Sequence, residues 1–245
     1  MEANHPVRRV QRVRHELHRR NVQVARVESI SPGFVGLTFV GDSLADFVSD
    51  GFDDHVKFIF TDATGELIRR DYTPRRFDRA RGEVTIEFAI HGHGKATEWA
   101  RHAVLGQAAV IGGPRGSMIV PMDYAWHLLA GDATALPAMH RRLEEVPREA
   151  HVIVVGLVDA ADRRTFASDA QVELQWVSTP DELVAAVGDL RLPPGEGYAW
   201  CAGEASAMAR LREILVVEKL HPREAMRVAA YWKRGASEYH EELSQ

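Results

Sequence analysis

Cysteine is almost missing from this chain: Cys201 is the single one among 245 residues. One thiol excludes an internal disulfide, a CxxC redox pair and a cysteine-ligated iron–sulfur cluster. Electron chemistry in such a chain has to run on a bound organic cofactor or on a differently ligated metal. Long hydrophobic runs are missing too. The longest, Val152-Ile153-Val154-Val155-Gly156-Leu157-Val158, has the length of a buried strand and falls far short of the roughly 20 apolar residues of a membrane-spanning helix. The amino-terminal segment has no apolar core like that of a secretory signal, so a cytoplasmic location without membrane insertion is expected. There is no basic excess either. Lys and Arg number 30 against 35 Asp and Glu, a net charge of -5, which argues against nucleic acid as a partner.

What is present is ordinary for a globular protein: 45% hydrophobic and 27% charged residues, and enough length for one large domain or two small ones with real cores. The charge is uneven along the chain. Arg8, Arg9, Arg12, Arg14, Arg19 and Arg20 crowd the start, whereas Glu238, Glu241 and Glu242 close it. Residues 1–20 read as a basic extension, either a solvated helix face or a frayed terminus.

Hydrophobic periodicity divides the remainder in two. In residues 21–123 apolar side chains alternate with period two, through Val22 and Val24, Val35 to Phe39, Val56 to Phe60 and Val84 to Ile90. Turn signals at Ser31-Pro32-Gly33, Gly41-Asp42, Thr64-Gly65 and Arg81-Gly82 separate these runs. The pattern predicts an antiparallel β-barrel, with a short helix near Ala96–Ala103. From residue 124 to 245, buried strands at His127–Gly131, His151–Val158, Glu173–Val177, Tyr198–Ala202 and Met226–Trp232 alternate with helical segments. One helix carries Leu136, Met139, Leu143 and Val146 on a face, and another spans Ala205–Lys219. That alternation predicts an α/β domain with a parallel sheet, ending in a carboxyl-terminal tail.

Four segments can carry chemistry. In Arg70-Asp71-Tyr72-Thr73-Pro74-Arg75 the Tyr can lie against a flat cofactor, the Thr can reach a ring heteroatom and an Arg can clamp a phosphate. A plain turn with a core Tyr and solvated arginines fits the spacing equally well. His91-Gly92-His93-Gly94-Lys95-Ala96-Thr97 ends a strand and opens a helix, leaving backbone N–H groups for a pyrophosphate. A Walker loop is excluded, because Ala89 and Ala96 stand where that motif needs Gly and Ser or Thr. His91 and His93 lack a third partner, so no metal site is assigned. Gly112-Gly113-Pro114-Arg115-Gly116-Ser117 is either a turn or a mount for a fixed positive charge at Arg115. Gly131-Asp132-Ala133-Thr134-Ala135-Leu136-Pro137 and Ala202-Gly203-Glu204-Ala205 each follow a strand and open a helix, the place where open α/β sheets bind nucleotides.

Taken in order from about Gln23 to Gly235, these segments resemble the siderophore-interacting protein family, within the ferredoxin-reductase-like flavoproteins. Asp54-His55-Val56-Lys57 and Tyr231-Trp232-Lys233-Arg234-Gly235 add to the resemblance. It implies an FAD-binding barrel followed by an NAD(P)H-binding α/β domain. It also implies a ferric-siderophore reductase in which NADPH or NADH reduces FAD, and FAD passes single electrons to a bound Fe(III)-siderophore, releasing Fe(II) in the cytoplasm. Arg70, Tyr72, Thr73 and Arg75 then contact FAD, and His91, Gly92, Gly94, Ala96 and Thr97 line its phosphates and ribose. Asp132, Thr134, Gly203 and Glu204 face the nicotinamide nucleotide. Lys57, Arg115 and Lys233 or Arg234 attract the anionic ferric complex. No side chain is assigned a catalytic role, since the flavin carries the chemistry. Lys95 stands where the family has Pro and adds a positive charge beside the pyrophosphate, Thr97 keeps the hydroxyl of the usual Ser, and Ala133 replaces a common Glu.

Arg163 and Arg164 follow the second strand of the α/β domain, which favours NADPH, while Asp159 is placed to accept from a ribose hydroxyl, which favours NADH. Reduced ferredoxin is a donor in related proteins, and a monomer is expected. The rival readings are a carrier that binds siderophore or flavin without turnover, and a general ferredoxin or flavin reductase.

Overall fold

The computed structural model describes residues 9–90, 94–236 and 241–243. Among the described residues, the first half holds nine strands and one α-helix: β1 (Gln11–Arg14), β2 (Arg19–Ser31), β3 (Phe34–Val40), β4 (Val56–Thr61), β5 (Leu67–Tyr72), β6 (Pro74–Asp78), β7 (Glu83–Ala89), α1 (Lys95–Arg101), β8 (Ala108–Gly112) and β9 (Gly116–Ile119). Seven of the strands make one antiparallel sheet in the order β5-β4-β8-β2-β3-β7-β6. Its two edge strands are consecutive in sequence and joined through the single residue Thr73. The sheet therefore has to curl until its edges meet there. Inside it, the alternating residues Leu37, Phe39, Phe58, Ile86 and Phe88 are completely buried, as period-two patterning requires. Phe58 is the hub, with ring centroids 5.2 Å from Phe88, 5.4 Å from Phe39 and 4.9 Å from Trp99 of α1.

The basic start differs from expectation. From Arg9 on, where the described residues begin, it is not a helix face, because Gln11–Arg14 pairs antiparallel with Gly116–Ile119. Arg20, within β2, is 5% exposed. It donates to the Ser43 and Gly113 carbonyls and to Asp46, at 2.9, 3.2 and 2.8 Å. Its charge serves packing, a use that cannot be told from solvation by composition alone.

The second half contains β10 (Trp126–Asp132), α2 (Leu136–Glu145), β11 (His151–Leu157), β12 (Gln171–Val177), α3 (Pro180–Asp189), β13 (Gly197–Glu204), α4 (Ala205–Glu213), β14 (Met226–Trp232) and β15 (Glu241–Glu242). Five strands are parallel in the order β12-β11-β10-β13-β14, and β15 adds an antiparallel edge. The order reverses between β10 and β13, which makes their carboxyl ends the switch point of the sheet. One face packs Leu129, Met139, Val152, Val154 and Trp200, and the other packs Leu128, Val155, Leu183, Met208 and Val228. Pro180 begins α3, which Thr179 caps by accepting from the Glu182 N–H at 3.2 Å. Helix α4 stops at Glu213, and Ile214–Glu218 continues as a wider turn.

The halves are fastened by arginines. Arg141 of α2 is 6% exposed and donates to the Ser49 hydroxyl, the Ser49 carbonyl and the Pro74 carbonyl at 2.8, 2.7 and 3.1 Å. Arg75 and Glu144 form a bidentate pair at 2.7 and 2.8 Å. Glu87 of β7 bridges Arg75 at 3.2 Å and Arg164 at 2.6 Å. Burial opposes the ionised form of Glu144, but hydrogen bonds from Arg75 and Arg76 win and hold its carboxyl down at about 2.

His127, on β10, is completely buried. Burial, with the nearby Arg142 charge, lowers its ring from 6.5 to about 4. The native state thus keeps this ring neutral while the unfolded chain protonates it. Its contribution to stability is complete above pH 6.5 and is lost as pH falls toward 4, to the extent of about 3 kcal/mol. Urea unfolding at pH 7 and pH 4.5 is expected to show a smaller acid loss for His127→Leu than for the parent chain. An unchanged loss counts against this assignment.

Candidate functional site

A cavity of about 610 Å³ opens where the seam of the barrel faces the switch point of the sheet, within the size range of small-molecule sites. Its barrel side comes from β4, β5 and the opening of α1: His55, Lys57, Arg69, Arg70, Asp71, Tyr72, Thr73, Gly94, Lys95, Ala96 and Thr97 all line it. Its sheet side comes from Ala133, Thr134 and Pro137 after β10 and from Tyr231 and Trp232 at the end of β14. Ala89 and Glu87 of β7 complete the wall. A second hollow of about 370 Å³ shares Ala89, Ala133, Thr134 and Trp232 with it and runs on past Leu157, Asp159 and Asp162. The two form one cleft along the carboxyl ends of β10 and β11.

Tyr72 is fixed by aromatic neighbours. Its ring lies 4.3 Å from Phe88 and 6.0 Å, edge-on, from Phe58, so the barrel core holds it in place at the cavity it lines. Desolvation raises its hydroxyl pKa above the usual phenol range, despite the Arg70 charge. Arg70 donates to the Arg69 carbonyl at 2.7 Å. Thr73 and Thr97, each 7% exposed, put short polar side chains at the same wall. Gly94 precedes α1 in an extended conformation, and the opening turn of any helix leaves N–H groups without intrahelical acceptors.

At the switch point Asp132 has a structural role. Its carboxylate accepts from the Thr134 N–H at 2.9 Å and the Thr134 hydroxyl at 2.6 Å. It also accepts from the Glu204 N–H at 2.8 Å and the Trp232 indole N–H at 2.9 Å. The ends of three parallel strands are tied to one side chain. Gly203 makes room for it: at φ 152° its own Cβ would lie 2.5 Å from the Asp132 Oδ2. Glu204 caps α4, accepting from the Ser206 and Ala207 N–H groups at 2.7 and 3.3 Å. Burial opposes its ionised form, but these hydrogen bonds prevail and hold its carboxyl below the usual range.

Several expected residues thus meet in one place: Arg70, Tyr72, Thr73, Gly94, Ala96, Thr97, Thr134 and Lys57 all line the larger cavity. Asp132 lines only the adjoining hollow, with its oxygens engaged as above, and Gly203 and Glu204 shape the switch point without lining either space. Arg75 is not brought to the cavity. It is 2% exposed, buried between Glu87 and Glu144. Lys95 reaches the cavity with its charge paired to Asp62 at 2.8 Å and to Glu66. Lys57 is likewise paired to Asp71 at 2.7 Å. Arg115 is exposed outside the lining, beside Gly113, and Lys233 and Arg234 are exposed just beyond Trp232. His91 and Gly92 lie outside the described residues. Among the described residues no cluster of His, Cys, Asp or Glu has metal-site geometry, and no helix is long and apolar enough to cross a membrane. Trp232, Tyr231 and Arg69 were not assigned from sequence. The rule that ligands sit beyond strand carboxyl ends points to Trp232, the last residue of β14.

Comparison with known proteins matches both halves. The family model described as Siderophore-interacting FAD-binding domain matches residues 23–69 and 64–118, and that described as Siderophore-interacting protein matches residues 124–235. The chain is 33% identical to an NADPH-dependent ferric-chelate reductase of Escherichia coli, covering 94% of this chain and 98% of that one. It is 29% identical to the ferric vibriobactin reductase ViuB of Vibrio cholerae, covering 91% and 93%. Among solved structures, a siderophore utilization protein from T. fusca superimposes with a TM-score of 0.89 at 32% identity, over 94% of this chain and 98% of that one. A ferredoxin reductase in carbazole 1,9a-dioxygenase shares the fold alone, with a TM-score of 0.66 at 16% identity over 86% and 69%.

Replacing Asp132 by Ala leaves the Glu204 and Trp232 N–H groups without their acceptor, at an expected cost of about 2–4 kcal/mol. Chemical unfolding measures the loss, and tryptophan emission reports the released indole. Parent-like stability would refute the structural role.

Proposed function

The chain belongs to the siderophore-interacting protein family, and from that premise we propose that it is an FAD-dependent NAD(P)H oxidoreductase that reduces ferric siderophores. The observation that carries the reading is the joint cavity of barrel seam and switch point, where an aromatic wall and a basic rim face the nucleotide end of a parallel sheet. The lining suits FAD. Tyr72 offers a rigid aromatic ring and Thr73 a hydroxyl for a flat heterocycle, while Arg69, Arg70 and the opening of α1 suit an anionic diphosphate. Bound there, FAD supplies two-electron acceptance from a nicotinamide and one-electron release to Fe(III).

The chain's own groups do the positioning. Arg70, Tyr72, Thr73, Gly94, Ala96 and Thr97 hold the cofactor in this reading. Thr134 and the turn braced by Asp132, Gly203 and Glu204 receive the nicotinamide nucleotide in the adjoining hollow. Tyr231 and Trp232 close the sheet side and limit water. Arg115, Lys233 and Arg234, all exposed, steer an anionic ferric chelate in this reading, with Lys57 contributing less because of Asp71. That steering weakens with added salt. A cytoplasmic setting with release of Fe(II), a monomeric state and reduced ferredoxin as an alternative donor belong to the same proposal.

Anaerobic NADPH or NADH is expected to bleach the flavin absorbance of the FAD-loaded protein, and added ferric siderophore is expected to restore it while a ferrous chelator traps iron. Bleaching without ferrous iron would overturn the reading. Arg70→Gln should weaken FAD binding about tenfold to a hundredfold, measured by flavin fluorescence titration.

A further inference from the structure

Strand β12 is an open edge of the parallel sheet. Among the described residues it pairs with β11 alone, in unbroken register over Gln171–Val177. Natural edge strands are blunted by Pro, Lys, a bulge or brevity. This one, Gln171-Val172-Glu173-Leu174-Gln175-Trp176-Val177, has seven residues, neither Pro nor Lys, and no bulge. Its central Leu174 is 40% exposed. Trp176 is held in place. It lies over Gly156, where a Cβ would come within 2.3 Å of its ring, and its ring centroid is 5.7 Å from that of Phe166. An open ladder of backbone N–H and C=O groups, with a fixed aromatic beside it, is a template for another strand.

The sequence of this edge is complementary to itself. Two copies meeting edge to edge about a two-fold axis run antiparallel, and residues directly opposite share a face of the sheet. Registers centred on Glu173, Leu174 or Gln175 satisfy that condition. Centring on Glu173 sets two carboxylates directly opposite, which is destabilising. Centring on Gln175 leaves Gln171 and Val172 beyond the partner strand. Centring on Leu174, the midpoint of the strand, pairs all seven residues. Val172 then faces the partner's Trp176, a β-branched side chain against an aromatic one, and Leu174 faces its own copy. On the other face Glu173, already 2.7 Å from the His151 ring, meets the partner's Gln175, whose amide can donate to it.

Charges beyond the strand ends agree with that register. Arg163 is exposed, forms no ion pair among the described residues and donates to the Ser178 hydroxyl at 3.1 Å. Asp169 is exposed too, with no hydrogen bond or ion pair among the described residues. In the register centred on Leu174, Ser178 lies opposite the partner's Ala170, which brings Arg163 beside the partner's Asp169. The two-fold repeats the pair, so two cations without a counter-ion meet two such anions.

We propose that β12 is a self-association edge that joins two copies of this chain through one continuous sheet, with Arg163 and Asp169 fixing the register. Seven paired residues from each copy make a small interface, so the association is weak, with a dissociation constant on the order of 10–100 µM. Each copy builds its cavity from its own residues. The monomeric state of the reductase reading therefore remains the working unit, and the dimer forms as concentration rises.

Sedimentation velocity of the FAD-loaded full chain between about 1 µM and 1 mM is expected to show monomer giving way to dimer. Gln175→Glu, at an exposed position, sets a carboxylate opposite the partner's Glu173 twice. It should weaken association about threefold to thirtyfold while the melting temperature stays at the parent's. Arg163→Asp and Asp169→Arg should each weaken association, and the double variant should recover it. Leu174→Cys should yield a covalent dimer on mild oxidation. Gln171→Cys, about 20 Å from its own copy, should not, and Cys201 is buried and does not compete. A monomer at every concentration overturns the proposal. So does a dimer that is indifferent to Gln175→Glu, that the double charge reversal fails to restore, or that cross-links at Gln171→Cys as readily as at Leu174→Cys. Loss of self-association leaves flavin bleaching by NADPH untouched, so this inference and the reductase reading fail separately.

Discussion

Everything at the cleft depends on the buried charge network that fixes the barrel against the α/β domain. Arg75, Glu87, Glu144 and Arg164 come from β6, β7, α2 and the loop after β11. Removing a charge from water is costly, and a buried ion pair persists only where geometry and extra hydrogen bonds return most of that cost. Here the geometry is bidentate and the carboxylates are shared between arginines, so the network tolerates little sliding of one domain over the other. Glu87 matters most for function because it also lines the larger cavity. One carboxylate thereby sets the position of the cavity wall and, through Arg164, of the loop that follows β11.

The architecture was legible in the sequence because its signals are local. Alternation at Val35 to Phe39 and Val84 to Ile90 needs only the period of a strand. Small-residue turns at Gly131 and Gly203 needed only their place after a buried run. Short elements escaped: β1, β6 and β15 are too brief to show a period, and α3 follows a strand whose exposed side weakens its pattern. The basic start misled because burial of Arg20 depends on Ser43, Asp46 and Gly113, which are distant in sequence.

The site was legible in outline for the same reason. Arg70, Tyr72 and Thr73 lie on one strand end and travel together. Arg75 shares their segment, and the residue type that clamps a phosphate is the type that pairs with two glutamates. Glu144 is 69 residues away, and nothing local announces it. Lys95 was read as a charge beside a diphosphate, yet Asp62 and Glu66 across the β4–β5 turn compensate it. Charges are identified by sequence but assigned by their neighbours, and the neighbours are a product of the fold.

The seam at Thr73 has a mechanical meaning. The seven-stranded sheet has two edges, and the chain passes from one to the other through that residue. Tyr72 and Thr73 border the cavity, so a ligand seated there lies across the joint that closes the cylinder. Whatever it contributes by binding acts as a clasp on the joint between β5 and β6, which share no ladder among the described residues. Occupancy and closure are then two descriptions of one equilibrium, and the empty protein should breathe first along β5 and β6 rather than along the strands at its back.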